Sequence, residues 1–249
     1  MSRLAWYRIL VVGAAVALLE VLCLTGVIDK ITMQAPHLIV RDLYRMLGSG
    51  RMNAAIVKTL SNTALALVLA LGVGVIAGAL LHRVRALRDT LDPLFATYYA
   101  VPVFAFYPFF IVVFGLGDLP QVLIAFMLGV VAVIVNTLNG LDRVPQVLLK
   151  TARIMQMSPV DTALRMTLPS AGPHLVTGVK LAVAYSFIGV IASEFILSGS
   201  GLGYAIAYAY NNFENRKMYA LMLLVLLAAT AVNSALNAVD SRLQVRQLR

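Results

Sequence analysis

Residues 59–81 read TLSNTALALVLALGVGVIAGALL and contain no Asp, Glu, Lys or Arg. A helix needs about 20 mostly apolar residues to cross the hydrocarbon core of a bilayer, and this run is long enough. Uncharged runs of similar length occupy residues 94–114, 119–141 and 218–239. Because apolar and polar residues do not alternate in these runs, they predict membrane-spanning helices rather than the strands of a membrane β-barrel.

The composition supports an integral membrane protein. The 249 residues are 61% hydrophobic and 12% charged, whereas soluble domains are about 45–50% apolar and about a quarter charged. This difference excludes a soluble globular enzyme. Two further apolar runs, residues 9–28 with Glu20 and residues 175–197 with Lys180, raise the predicted number of spans to six. We expect Glu20 to contact another helix and the Lys180 side chain to snorkel to the interface.

The distribution of Lys and Arg predicts the orientation. If both termini are cytoplasmic, the inner segments carry more of these cations than the outer segments, as the positive-inside rule requires. The first outer segment is itself basic, and its residues Ile39, Leu43, Met46 and Leu47 have the spacing of one helix face. We expect this helix to lie on the membrane surface as an anchor or, alternatively, to dock an external partner.

Several enzyme classes require residues that this sequence lacks. No Gly-Lys dipeptide occurs, so a phosphate-binding loop of the P-loop type is absent and ATP hydrolysis is not expected of this chain. His37, His82 and His174 have no second His or Cys at ligand spacing, which argues against a metal site. No histidine follows Ser200, which argues against an intramembrane serine protease. We therefore predict no catalytic residue, metal or cofactor in this chain.

The third apolar run is rich in aromatic residues and contains Pro102 and Pro108. Prolines remove backbone donors and kink a helix, which is tolerated in a membrane where neighbours or water satisfy the freed carbonyl groups. A kinked helix that carries Tyr98 and Tyr99 suits the wall of a solute pathway. The alternative is a core helix packed by aromatic rings.

A polar segment at residues 139–174 separates the fourth and fifth predicted spans, and it predicts two short helices of its own. The first covers residues 144–157. A pair of short helices between two spans would present a rigid projection to a soluble partner on the cytoplasmic side.

The second short helix has sequence signals at both ends. Ser158 is placed to cap it, Pro159 takes the first helical position, and Asp161 lies beside the positive helix end. We expect the helix to stop at Leu168-Pro169, because proline disfavours helical geometry in the residue before it.

These residues carry a family resemblance. The run Lys150-Thr151-Ala152-Arg153-Ile154-Met155-Gln156-Met157-Ser158, followed by Leu168-Pro169, resembles the EAA loop of permease subunits of ATP-binding-cassette importers. Other fragments fall in the order and approximate spacing of the nitrate/taurine/alkanesulfonate group: Ala100-Val101-Pro102, Phe114-Gly115-Leu116-Gly117, Asn136-Thr137 with Gly140, Ala192-Ser193-Glu194 and Gly201-Leu202-Gly203-Tyr204. The resemblance covers roughly residues 55–215.

The resemblance implies an all-α integral membrane protein with six transmembrane helices and the type I importer permease fold. In such importers two permease chains, here a homodimer, enclose a pathway, and an external solute-binding protein delivers the solute. Cytoplasmic ATPase subunits bind ATP and Mg and dock on the coupling-helix loop. Membrane lipid is a further expected partner and nucleic acid is not. The loop positions are Lys150, Thr151, Ala152, Gln156, Ser158, Pro159, Asp161, Leu168 and Pro169.

Candidate residues for the translocation pathway or gate follow from the cost of polar groups in a membrane. Glu194 either gates or docks, or pairs with a helix end. The two asparagines either line the exit or join helices by polar contacts. The glycine-rich turn lies either at the pathway mouth or in a plain turn beside an aromatic belt. The set is Tyr98, Tyr99, Pro102, Asn136, Asn139, Glu194, Gly201, Gly203 and Tyr204.

Four positions of the loop depart from the family pattern, namely Lys150, Thr151, Gln156 and Met166. Lys150 stands where the family usually has Glu, so the charge of its contact must differ. Gln156 stands where the family has Gly, which implies a turn that needs no positive φ. We expect three regions: residues 1–55 with the first span and the interfacial helix, residues 56–240 with the five-span core and the coupling loop 142–169, and a basic cytoplasmic tail at 241–249.

The predicted function is that of a permease subunit in the bacterial inner membrane, in an ATP-driven, binding-protein-dependent importer of a small solute. A nitrate-, sulfonate- or taurine-like anion is favoured. One alternative is the same importer class carrying a pyrimidine or flavin vitamin precursor. An alternative of another class is a secondary transporter or channel subunit that works without an ATPase, which would leave the capped loop unexplained.

Overall fold

The computed structural model describes residues 3–29 and 32–247, and all of the regular elements in these ranges are helical. The α-helices are α1 Arg3–Leu24, α2 Pro36–Gly48, α3 Asn53–Arg83, α4 Arg85–Thr97, α5 Tyr107–Phe114, α6 Asp118–Asp142, α7 Gln146–Ile154, α8 Pro159–Thr162, α9 Leu168–Leu197, α10 Leu202–Asn211 and α11 Asn215–Gln247. Residues 241–247 of the predicted tail continue α11, and residues 248–249 of that tail lie outside the described ranges.

By length and composition, four helical segments of the described chain can cross a membrane: Asn53–Arg83, Asp118–Asp142, Pro159–Ile196 and Asn215–Ala238. A fifth is possible if the two stretches Arg85–Ala100 and Val103–Phe114 form one bent span. Helix α1 contributes the shorter apolar stretch Leu10–Leu24. The predicted count of six spans is therefore not confirmed.

The chain forms two compact units, residues 1–58 with 194–228 and residues 59–193 with 229–249. In the first unit, α2 buries Leu43 on the predicted apolar face. The predicted contact of Glu20 is confirmed, because the backbone amide of His37 in α2 donates to Glu20 Oε2 at 3.2 Å and the His37 ring pairs with the same carboxylate. The core of the second unit is centred on α6, the helix with the most buried residues of this unit.

Glycines allow α3 and α6 to pack closely in the second unit. A Cβ added at Gly74 would lie 2.6 Å from Val133 Cβ, and one at Gly78 would lie 2.7 Å from Thr137 Cβ. The close packing that the small-residue spacing of Gly74 and Gly78 predicts is thus confirmed. Gly72 has no atom within 4 Å of such a Cβ, so it takes no part in this contact.

The third apolar run is broken rather than merely kinked. Helix α4 ends before the 3₁₀ turn Tyr98–Ala100, a second 3₁₀ turn covers Val103–Phe106, and the helical stretches on either side meet at 93°. Val101, which precedes Pro102, has extended backbone angles. Because a residue before proline avoids helical geometry, Pro102 accounts for the break.

The predicted end of the second loop helix at Leu168-Pro169 is wrong. The helix that begins at Pro159 runs through a π-helical turn, Ala163–Thr167, directly into α9. A π turn widens the backbone locally and can accommodate the missing amide of Pro169, which would otherwise disturb the helix. The loop helix and the following span are consequently one continuous segment, Pro159–Ile196.

Candidate functional site

The predicted coupling loop is ordered by hydrogen bonds at the end of α7. The Met157 amide donates to the Ala152 carbonyl at 3.0 Å, and the Gln156 amide donates to the Arg153 carbonyl at 3.1 Å. This pair of bonds is the Schellman motif, which places the residue after the C-cap in the left-handed region. Gln156 has φ of 51°, so the prediction of a turn without positive φ is wrong. Gln156 therefore stands in a backbone conformation that glycine adopts with less strain.

The predicted cap of the second loop helix is confirmed. The Asp161 amide donates to Ser158 Oγ at 3.1 Å, and the Ser158 hydroxyl donates to Asp161 Oδ2 at 2.6 Å. Pro159 occupies the first turn, where its missing amide costs no helical hydrogen bond. Arg165 lies 3.5 Å from the Asp161 carboxylate, one turn later. The start of this helix is thus fixed by local bonds.

The loop presents apolar side chains to its surroundings. Ala152 is buried and holds α7 in place, Thr151 is half-buried, and Lys150 is exposed. Large apolar side chains are nevertheless exposed across both loop helices, with Ile154 at 83% and Val160 at 66%. We call this group the coupling surface, and it consists of Val147, Ile154, Met155, Val160 and Leu164. Large apolar side chains exposed on ordered short helices occur at protein interfaces.

An ion-pair cluster that the sequence analysis missed joins three helices of the second unit beside the loop. Asp142, the last residue of α6, accepts two hydrogen bonds from Arg88 of α4, Nη1 to Oδ1 at 2.9 Å and Nη2 to Oδ2 at 2.6 Å. His82 Nδ1 of α3 lies 3.1 Å from Asp142 Oδ1. We call these three residues the Asp142 clamp. The sequence does not predict this pairing, because the three residues lie in three different helices and form no recognisable motif.

Three tyrosines of the second unit lie together near the break in the third run. The Tyr98 hydroxyl donates to the Met127 carbonyl of α6 at 2.9 Å. The Tyr99 ring lies 5.7 Å from the ring of Tyr98 and 5.7 Å from that of Tyr185 in α9. Tyr99 is half exposed, whereas Tyr98 is partly buried. Tyr185 was not among the predicted pathway residues.

The predicted asparagines have different environments. Asn136 donates to the Ala132 carbonyl of its own helix at 2.8 Å, and a Cβ added at Gly178 of α9 would lie 3.0 Å from Asn136 Cβ. Asn139 is exposed. A buried amide contact that was not predicted, Asn62 Nδ2 to Gln121 Oε1 at 3.4 Å, joins α3 to α6.

Glu194 stabilises the start of a helix in the first unit. Its side chain is fully buried, and its Oε2 accepts a hydrogen bond of 3.0 Å from the Gly203 amide in the first turn of α10. Gly201, the residue before that helix, has φ of +101°, and an added Cβ there would overlap the carboxyl group. Of the two predicted roles for Glu194, the contacts show the helix-end pairing. Tyr204 packs against Tyr208, with ring centroids 6.1 Å apart.

Lys180 pairs with residues of another helix. Its ammonium group donates to Asn237 Oδ1 of α11 at 3.0 Å and pairs with the carboxylate of Asp240. An ion pair offsets part of the cost of a charge on a membrane helix. That the side chain also reaches the interface stays a prediction. Asp240 lies near the end of α11. The sequence analysis did not predict it as the partner of Lys180.

The chain is similar in sequence to known transport proteins. A sequence model of the family "Binding-protein-dependent transport system inner membrane component" matches residues 70–245. The nitrate import permease protein NrtB of Leptolyngbya laminosa is 27% identical over 86% of this chain and 77% of its own length. The putative aliphatic sulfonates transport permease protein SsuC of Bacillus subtilis is 25% identical over 97% of this chain and 88% of its own length.

A third relative and a solved structure agree with these matches. The bicarbonate transport system permease protein CmpB of Synechococcus elongatus is 29% identical over 68% of this chain and 62% of its own length. A chain in an inward-facing structure of the MetNI methionine ABC transporter superposes with a TM-score of 0.64 and 19% identity, over 85% of this chain and 99% of that one. At this identity the structural likeness shows the fold.

Proposed function

Because the chain belongs to the family of inner membrane components of binding-protein-dependent transport systems, we propose that it couples ATP hydrolysis by separate cytoplasmic subunits to the import of a small anion. The chain is a multi-pass membrane permease of an ATP-binding-cassette importer of the nitrate/sulfonate type. Two copies would enclose the pathway, an external binding protein would deliver the solute, and the ATPase subunits would hold ATP and Mg.

The observation that carries the coupling role is the coupling surface. Exposed apolar side chains on two short helices are unfavourable in water unless a partner covers them. Their backbone is fixed by the Ser158 cap and by the Schellman motif at Gln156. A docking element must transmit force without deforming, and these local bonds supply that rigidity. The partner that we propose for the surface is the ATPase.

Support for an anionic solute comes from the relatives. Their names assign nitrate, aliphatic sulfonates and bicarbonate to the transport systems that contain them. These solutes are small and carry negative charge on oxygen atoms. We propose a solute of the same chemistry for this chain.

Co-purification from native membranes tests the coupling role. We expect an ATPase subunit to accompany the intact chain and to be lost from a variant with Ile154→Glu and Val160→Glu, because two carboxylates cannot be buried in an apolar interface at low cost. The matched control is Leu87→Glu, which changes an exposed apolar residue of α4 outside the coupling surface. Equal recovery of ATPase with both variants would contradict the role, as would solute uptake without ATP.

The proposed orientation places both termini and the coupling loop in the cytoplasm. The chain has one cysteine, Cys23, which is buried, so introduced cysteines can be labelled selectively. In spheroplasts we expect a membrane-impermeant maleimide to label Asn212→Cys, between α10 and α11, and to label Lys150→Cys only after lysis. Labelling of Lys150→Cys before lysis would reverse the orientation.

A further inference from the structure

Two adjoining cavities in the first unit are lined by basic side chains. One has a volume of about 610 Å³ and the other about 450 Å³, and Arg51, Met52 and Lys217 line both. We call the joined cavities the basic basin. Its walls come from α2, the start of α3, the turn before α10 and the start of α11. The cations that line it are Arg45, Arg51, Lys58, Arg216 and Lys217.

The charges of the basin do not cancel. Among its lining residues the one carboxylate is Asp42, which accepts two hydrogen bonds of 2.9 Å from Arg216. Lys217 lies 3.0 Å from Glu214 and 5.3 Å from the centre of the Tyr208 ring. Within the described residues, the Arg45 and Arg51 guanidinium groups have no ion-pair partner. Arg45 and Arg51 therefore leave an excess of positive charge in the lining of the basin.

A concave surface with like charges concentrates counter-ions of the opposite sign. The volumes fall in the range of about 300–1,000 Å³ that is usual for small-ligand sites. Guanidinium groups bind planar or tetrahedral oxyanions through paired N–H donors, and the Tyr204 hydroxyl adds a further donor to the lining.

We propose that the basic basin binds a small oxyanion, such as a sulfonate or phosphate group, between Arg45, Arg51 and Lys217. The anion is either a solute delivered from outside or the headgroup of an anionic phospholipid, and both offer the same charged oxygen atoms. The solute alternative rests on the proposed function, since it makes the basin an entrance site for the transported anion.

The binding test uses the full chain in phosphatidylcholine nanodiscs with trifluoromethanesulfonate as the probe, observed by ¹⁹F NMR line broadening. We expect saturable binding that weakens about tenfold in a variant with Arg45→Gln and Arg51→Gln, because two cations are removed from the site. Higher salt should weaken binding to the intact chain, since Arg45, Arg51 and Arg216 are exposed.

Two control variants separate charge from folding. Arg45→Lys with Arg51→Lys keeps both charges but loses the paired guanidinium donors, so it should weaken binding less than the glutamine variant does. Arg83→Gln with Arg85→Gln removes two cations at the junction of α3 and α4, outside the basin, and should leave the affinity unchanged. No saturable binding to the intact chain, or equal weakening in the two glutamine variants, would overturn the proposal.

A second arm identifies the source of the anion. If phosphatidylglycerol in the nanodisc displaces the probe from the intact chain and is retained less by the Arg45→Gln and Arg51→Gln variant, the headgroup is the occupant and the solute alternative is overturned. If phosphatidylglycerol does not displace the probe, the solute alternative stands. ATP-driven uptake by the assembled importer is measured separately. Its absence would count against the proposed function, whereas the binding of the probe tests whether the basic basin is an anion site.

Discussion

Glu194 shows how a carboxylate can be buried inside a membrane protein. It is fully buried and accepts a hydrogen bond from the first turn of α10. The unpaired amides at a helix start carry partial positive charge, so they stabilise the carboxylate while the carboxylate satisfies them. The positive φ of Gly201 brings the chain back close enough for this contact. The same residue that the sequence marks as costly is thus an internal helix cap.

Replacing Gly201 by alanine should destabilise the protein strongly. The added Cβ would overlap the Glu194 carboxyl group, and φ of +101° is strained for any residue with a Cβ; backbone strain alone costs about 1–3 kcal/mol. The midpoint of thermal unfolding in detergent should fall by several degrees. Gly199→Ala, in the same turn with nothing within 4 Å, is the control. An unchanged midpoint for Gly201→Ala would show that the turn can rearrange.

Gln156→Gly should stabilise the coupling loop. Gln156 has φ of 51°, and an L-residue in the left-handed region costs about 1–2 kcal/mol relative to helical geometry, part of which glycine recovers. Slower hydrogen exchange of the Met157 amide, whose bond closes the turn, would report the gain. Met155→Gly, at the adjacent position with φ of −78°, should give faster exchange instead. Equal effects of the two glycines would contradict the argument.

At the scale of elements, the contact of α3 with α6 depends on which face carries the glycines. Gly74→Ala should cost about 1–3 kcal/mol, because its Cβ would press on Val133 at 2.6 Å inside a packed contact. Gly72→Ala, with open space around the same group, should be neutral or stabilising by up to about 1 kcal/mol through helix propensity. Denaturation with sodium dodecyl sulfate measures the difference. Similar losses for both variants would place the contact elsewhere on α3.

Local signals in the sequence predict the elements well where the physics is local. The Ser158 cap and the small-residue spacing of α3 are confirmed, and α2 forms as a helix that buries Leu43. Errors arise where backbone adjustments decide. The π turn carries the helix past Pro169, and the turn after α7 takes a positive φ at Gln156. The count of six spans is not confirmed either, because length and apolarity do not distinguish a continuous span from the bent run around Pro102.

At the scale of the whole molecule, the Asp142 clamp ties the end of α6 to α3 and α4 immediately before the coupling loop. Its members lie far apart in sequence, so no local pattern predicts it. If the loop transmits motion from an ATPase, the clamp is the point where that motion reaches three helices of its unit. Breaking the Asp142 clamp should therefore allow the loop to move without moving the membrane-spanning helices.

Asp142→Asn should uncouple transport from ATP hydrolysis. The amide keeps the size of the carboxylate but removes the charge that holds the Arg88 guanidinium by two bonds. We expect uptake per ATP in proteoliposomes to fall about tenfold, while the ATPase subunit still co-purifies. Asp89→Asn removes a neighbouring carboxylate of α4 and serves as the control. Normal uptake per ATP in the Asp142 variant would remove the clamp from the coupling route.

The π turn at Ala163–Thr167 has a consequence for the phase of the following helix. A π turn amounts to one extra residue within an α-helix, and each residue turns the helix by about 100°. The wider turn absorbs that residue, so the helix that follows keeps the phase it would have without it. Deleting one residue there should therefore restore a regular α-helical turn and leave Lys180 facing Asp240, whereas a deletion from a regular turn would rotate α9 by about 100°. The π turn thus lets the segment hold one more residue without a change in the angular register of α9.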